Sequence, residues 1–360
     1  MGSLAAERKR VVVVGGGVGG SLLAYTLQNH CDVFLIDSKE YFEVSWASLR
    51  CMIEPSFAKR TVINHNEYLH KASIISSPAI GITQSEVLTE QGEQITYDYL
   101  VVATGHVENG NSTKQEKLNY YQNENEKIRS ANSVLIIGGG PTGVELAAEI
   151  AVDFPEKKVT LVHRGSRLME FVGEKASKKA FDWLISKKVE VILGQSVDLN
   201  SASNGVYKLR GGETVYADLH FLCAAKPFGT SWLRGTILKD SLDKDGKVAV
   251  DSNLRVKGHN NIFAIGDIVD IKELKQGYIA QNHAQVAGKN LKLLITGANE
   301  QKLAKYKPGL TIAIVSLGRK DAVMQAGPVS FSGCLPGKIK SGDLFVGMAR
   351  KKLGLKSNLS

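Results

Sequence analysis

Cysteine is scarce in this chain: Cys31, Cys51, Cys223 and Cys334 are spread over 360 residues. None forms a C-x-x-C pair and none has histidine at ligand spacing, which speaks against a disulfide-exchange centre or a zinc site and for a reducing compartment. No apolar run approaches the roughly eighteen residues of a membrane span, so an integral membrane protein is not expected. The opening MGSLAAERKR has neither an apolar leader nor a long Arg/Ser-rich amphipathic one. Ala6 stands where the myristoylation pattern M-G-x-x-x-[ST] needs a hydroxyl, which argues against a lipid on Gly2. Residues 243–246, DKDG, lack the bidentate glutamate of a calcium loop and read as a turn. No metal site is expected. Nucleic acid is not expected as a partner, since no RNA-binding motif or aromatic interleaving accompanies the basic residues. The expected location is cytoplasmic, either free or peripheral on a membrane.

The net charge of +9 is uneven. Residues 301–360 hold eleven Lys and Arg against two Asp, which leaves the first 300 residues close to neutral. Such an end suits either an acidic partner surface, such as anionic lipid, or a solvated face.

The chain is organised by VVVVGGGVGG at 11–20. Four β-branched residues predict a strand buried on both faces, and the glycines predict a turn into a helix. Gly15, Gly17 and Gly20 form G-x-G-x-x-G between strand and helix. The first permits the tight turn, the second admits a pyrophosphate against backbone, and the third lets the helix lie on the strand. The next strand ends on Asp37, 22 positions after Gly15, where an acid can accept from both hydroxyls of an adenine ribose. Among the nearby charges Arg50, Lys59 and Arg60 are the candidates to face a cofactor, with a solvated surface position as the default. Short alternating segments from Ile74 to Tyr99 predict an antiparallel meander leading into LVVATG at 100–105, whose Thr104 and Gly105 bring backbone close to that cofactor. Residues 110–129 are polar and Asn-rich, and read as a linker with an exposed helix.

SVLIIGGGPTGVELAAE at 133–149 repeats the opening, with Gly138, Gly140 and Gly143 in the same spacing 123 residues later. Here the following strand leads to His163 and Arg164 instead of an acid. They tolerate or pair with a 2′-phosphate, so this site is expected to take NADPH as well as NADH, whereas Asp37 suits the unphosphorylated ribose of FAD. Glu145 lies near the nicotinamide end of its helix, either to orient that ring or simply as an acid favoured by the helix dipole. Glu149, one turn on, is expected outward. LCAAKP at 222–227 closes the second unit. In NIFAIGD at 261–267, Gly266 and Asp267 end a strand where a carboxylate can accept from a ribityl hydroxyl. A hairpin is expected over 310–327, and LFVGMARKKLGL at 344–355 mixes apolar and basic residues suited to a membrane surface.

On VVVVGGGVGG, FLID, ATG at 103–105, IIGGGPTGVELAAEI, VTLVH, NIFAIGD and YKPG at 306–309, the chain resembles two-dinucleotide-domain flavoproteins of the glutathione-reductase fold. Within them it is similar to the apoptosis-inducing-factor-like ferroptosis suppressor proteins, as a plant-type member. The resemblance implies an α/β fold of two Rossmann-like domains, the second inserted in the first, with a small C-terminal α+β region. The implied boundaries are 1–108 with 246–300, 109–245, and 301–360. It implies FAD in the first unit, NAD(P)H in the second, and hydride transfer to flavin N5 followed by two electrons to a quinone of the ubiquinone or vitamin K type. Glu145 matches the acid after the second glycine motif, Asp267 the flavin-contacting acid, and Lys307 the lysine of YKPG, a candidate cation for the flavin's pyrimidine edge. Two alternatives stand beside this reading. One is a flavin reductase with monodehydroascorbate or a redox protein as acceptor, and the other a non-enzymatic binding protein that responds to NADH.

Overall fold

The computed structural model describes residues 8–107 and 110–358, so Gly2 and Ala6 lie outside the described residues. Arg10–Val14 forms the middle strand of a five-stranded parallel sheet in the order Ile262–Ala264, Tyr99–Val102, Arg10–Val14, Asp32–Asp37, Ala72–Ser76. Strands on both sides and layers on both faces leave Val11, Val12 and Val13 with no exposed surface, which is why four consecutive β-branched residues suit this position. The helix Val18–Leu27 packs against Gly277–Ile295, a helix from the far end of the unit.

A second parallel sheet runs Glu190–Leu193, Lys158–His163, Ser133–Ile137, Leu219–Leu222. Its unit is inserted between Tyr99–Val102 and Ile262–Ala264 of the first, so the fold is the expected α/β pair of dinucleotide-binding units. Each carries a three-stranded antiparallel meander just before its closing strand: Ala79–Ile82, Glu86–Thr89 and Gln94–Thr96 in the first, Val197–Ser203, Val206–Leu209 and Thr214–Tyr216 in the second. The C-terminal region adds the antiparallel sheet Ile312–Leu317, Asp321–Ala326, Val329–Gly333 and the helices Cys334–Lys340 and Val346–Lys352.

Two expectations are corrected. Ala72–Ser76 is the fifth strand of the parallel sheet, paired with Asp32–Asp37, and the meander begins only at Ala79. Its apolar residues are half-buried at a sheet edge, which imitates the alternation of a hairpin. Lys114–Ser130 is a helix, begun by the Thr113–Glu116 capping box, but it is no free-standing linker. Tyr121, Asn125 and Ile128 are buried against Ser48–Ile53 and Pro55–Thr61 of the first unit. The apolar stripe is simply too narrow to show through an Asn/Glu-rich run.

Candidate functional site

The two glycine turns have the same local geometry. Gly15 and Gly138 sit at φ +103° and +119°, and a Cβ on either would lie 2.6 Å from the carbonyl oxygen of a strand-end residue, Ala103 or Cys223. A Cβ on Gly20 or Gly143 would overlap the carbonyl of Gly15 or Gly138. By contrast, nothing lies within 4 Å of where a Cβ would stand on Gly17 or Gly140. Both second glycines therefore present bare backbone to open space at a helix start, the cradle a pyrophosphate needs.

The units differ in what holds the middle glycine. Gly16 N–H donates to Asp37 Oδ2 at 2.7 Å, whereas Gly139 N–H donates to His163 Nδ1 at 3.0 Å. His163 thus replaces Asp37 in position and in loop anchoring, with no negative charge at this strand end. Burial pushes its imidazole below the ordinary value, which keeps it neutral and its Nδ1 free to accept. Arg164 is exposed beside it. Replacing His163 with Asp should keep the loop anchored but lower the NADPH to NADH ratio of kcat/KM at least about tenfold, since a carboxylate then faces the 2′-phosphate. The KM for NADH of the wild type should rise as pH falls below the ordinary imidazole range near about 6.5, because protonation removes the acceptor, and the Asp variant should lack this rise. Steady-state kinetics with both nucleotides checks both statements.

One cavity of about 1110 Å³ is lined by Gly15, Gly17, Asp37, Thr104, Gly105, Gly266 and Asp267 at one end. Buried polar atoms along it lack partners: Ser77 Oγ, Thr104 Oγ1 and Gln276 Oε1. They fit a ligand with hydroxyls and ring nitrogens, and the helix Gly277–Ile295 begins on the same wall. Asp267 is partly exposed to this space, with His106 Nδ1 3.1 Å from its Oδ2. His106 stacks on Phe228 of the inserted unit, with ring centroids 4.9 Å apart. Gly266 N–H donates to Nδ1 of the fully buried His283 at 3.1 Å. Sequence reading missed both histidines, and only the position of His106 directly after ATG could have drawn notice.

The far end of the cavity is built by the C-terminal region. Glu145 lines it, and its Oε1 accepts from Ser316 N at 2.9 Å, Ser316 Oγ at 2.8 Å and Lys340 Nζ at 2.6 Å. Lys340, also donating to Ile314 O at 2.9 Å, is buried at the cavity wall. It was not foreseen, because a lysine in the run KIKS carries no motif. Lys307, by contrast, is exposed and does not line the cavity, which corrects its assignment as the flavin-edge cation. The lysines that do line it are Lys39, Lys275, Lys340 and Lys352. Burial pushes Lys275 down, and its Nζ donates to Val269 O at 2.9 Å.

Arg50 is a second correction. It is 2% exposed and absent from the cavity wall, and its guanidinium is taken up by Glu149 through two bonds of 2.7 Å, by Ser341 O at 3.1 Å and by Gly318 O at 3.3 Å. Glu149, expected outward, is buried for the same reason. The cysteines Cys31, Cys51 and Cys223 are pushed up by burial, to about 11, 12 and 11, as inert thiols are.

Residues 9–288 match the pyridine nucleotide-disulphide oxidoreductase model. Ferroptosis suppressor protein 1 of Xenopus tropicalis is 34% identical, with 97% of this chain and 96% of that protein covered. Among solved structures, the sulfide:quinone oxidoreductase of Aquifex aeolicus superposes with a TM-score of 0.74 at 21% identity, covering 97% of this chain and 93% of that one. NDH2 from Plasmodium falciparum in complex with NADH gives 0.74 at 14%, covering 94% and 96%. FAD and NAD(P)H are accordingly the cofactors that the two cradles fit. The chain belongs to the pyridine nucleotide-disulphide oxidoreductase family and is an FAD-dependent NAD(P)H oxidoreductase.

Proposed function

We propose that the acceptor is a quinone, so that the enzyme passes two electrons from NAD(P)H through FAD to a ubiquinone or vitamin K type ring. The observation that carries this is the composition of the cavity's far end. Phe171, Ile312, Ile314, Phe345 and Met348 supply an apolar wall whose charged groups are the buried Glu145–Lys340 pair and Lys352, which is bonded to Gln281. A flat, uncharged ring with two carbonyls matches such a wall, whereas an anionic acceptor such as an ascorbate radical would be expected to meet more unpaired cations. Relatives and neighbours named for ferroptosis suppression and for quinone reduction support the same class.

The residue roles follow from position. The Gly15–Gly20 and Gly138–Gly143 turns would hold the two pyrophosphates, Asp37 the adenine ribose of FAD, Asp267 the ribityl chain, and His163 with Arg164 the adenine ribose of NAD(P)H. Bound flavin supplies hydride acceptance and two-electron release. Glu145, fixed by Ser316 and Lys340, orients the nicotinamide, and the apolar wall keeps water from the transfer.

An anaerobic visible spectrum tests the proposal. The flavin bands should bleach with NADH and return on addition of a short-chain ubiquinone. Bleaching without return, together with return on monodehydroascorbate or a redox protein, would move the acceptor to that class.

A lipid surface is the second reading, and it rests on exposed apolar residues of the C-terminal region. Among the described residues, Phe331, Leu335, Ile339 and Met348 are each about half exposed or more, interleaved with exposed Lys338 and Lys351. The basic end is less free than its charge implies, since Lys340 and Arg350 are buried and Arg319 pairs with Glu54 and Asp153. No helix among the described residues is long and apolar enough to cross a membrane. The chain should float with anionic liposomes, and Leu335→Asp with Ile339→Asp should abolish this without affecting turnover of a short-chain quinone. Flotation unchanged by the pair would remove these residues from membrane binding.

A further inference from the structure

A histidine stands behind each of three cofactor-site glycines, and proton counting separates one from the other two. His163 Nδ1 accepts from Gly139 N–H and His283 Nδ1 from Gly266 N–H. An accepting Nδ1 carries no proton, so both rings are neutral.

Gly16 is held by a closed circuit of buried groups. Its carbonyl can only accept, and Ser21 Oγ donates to it at 2.7 Å. Having spent its proton there, Ser21 must accept from Tyr68 OH at 2.8 Å. Burial pushes the Tyr68 phenol far up, so the phenol keeps its one proton and spends it on Ser21. The 2.7 Å contact between Tyr68 OH and His65 Nδ1 then needs the proton on Nδ1. That leaves His65 Nε2, fully buried, without a hydrogen-bond partner and 3.5 Å from Asp37 Oδ2, the same oxygen that accepts Gly16 N–H. A bare lone pair buried opposite a carboxylate would be repulsive, and a proton there makes an ion pair.

We propose that His65 is held as an imidazolium beneath the first glycine turn, where it neutralises Asp37 and fixes that carboxylate for the adenine ribose of FAD. His65 is a positioning residue in this account, which rests on Asp37 being the ribose acid. Lys39 shares the electrostatic part of this role, and the other nearby charges are spent on each other. Lys39 follows Asp37 in the loop and gives it a backbone N–H at 3.1 Å, while Glu67 and Lys114 pair with each other at 2.6 Å. Burial alone would raise the Asp37 carboxyl, but His65 first and the positive charge of Lys39 second hold it below its usual range.

Nitrogen-15 NMR of the FAD-loaded protein at neutral pH, with His65→Gln for assignment, reads the protonation directly and needs no variant to be stable. Both ring nitrogens of His65 should be protonated, whereas those of His163 and His283 should show one bare nitrogen each. A bare nitrogen on His65 overturns the proposal. The rate of FAD release from the holoenzyme tests the positioning role. Release should be about tenfold or more faster in His65→Gln and independent of pH, as expected for losing a hydrogen-bonded charge. In the wild type it should accelerate only where NMR shows His65 losing its proton. Wild-type release from the Gln variant would overturn the role. Unchanged release from Asp37→Asn would instead remove Asp37 from the ribose, a separate failure.

Discussion

Lys340→Met is expected to lower kcat/KM for NADH about a hundredfold while the protein stays folded and FAD-bound, the scale seen when one preorganised charge is removed from a reacting site. Methionine keeps the length and apolar stem of lysine but not its charge. What it removes is specific: Lys340 Nζ is one of three donors on Glu145 Oε1 and the only positive one among them. Glu145 and Lys340 side chains are 12% and 11% exposed, so water cannot replace the lost ammonium at low cost. The carboxyl then either takes a proton or turns away, and in both cases the proposed orienting group for the nicotinamide is lost. Stopped-flow reduction of the flavin by NADH separates this step from quinone turnover, and the loss should appear in the reductive step. A reductive rate within twofold of wild type would take Lys340 out of hydride transfer. Lys307→Met, on the exposed linker, should change neither rate.

The cofactor cradles were legible because each demands backbone that only certain residues allow. Gly15 and Gly138 are read from sequence since no side chain fits there, and the repeat at one spacing makes the pair hard to mistake. Asp37 and His163 were placed by counting to the end of the next strand, and both indeed touch the middle glycine. What could not be read is whatever depends on the third region folding back over the first two. Lys340 reaches Glu145 across 195 positions, and Arg50 reaches Ser341 across 291. Nothing local marks either residue, because their partners are chosen by tertiary packing. The opposite error came from the YKPG element, where a recognisable pattern drew attention to Lys307. The structure instead uses its tyrosine, whose hydroxyl donates to Glu273 at 2.7 Å behind His283. The same logic explains Ala72–Ser76, since an edge strand's pattern does not say which neighbour it will pair with.

Arg50→Met should destabilise the protein by about 3–5 kcal/mol, the usual cost of leaving one member of a buried ion pair uncompensated. For 360 residues unfolding together, at about 2.1 cal/mol/K per residue, that is a fall of roughly 4–7 °C in the melting midpoint. The position explains the size. Arg50 sits on the helix Ser48–Ile53 of the first unit, Glu149 on the helix Pro141–Asp153 of the second, and Gly318 and Ser341 belong to the C-terminal region. One guanidinium therefore joins all three parts, and its loss strands a carboxylate 2% exposed beside two carbonyl acceptors. The double variant Arg50→Met with Glu149→Leu should recover most of the loss, because apolar groups of similar volume remove the unpaired charge together with its partner. If the double variant melted as low as the single or lower, the pair itself would be a source of net stability rather than a mutual cancellation. If Arg50→Met melted like the wild type but released FAD, the arginine would belong to the cofactor site after all. The expected result separates cleanly from both, since flavin content should stay stoichiometric while the midpoint falls.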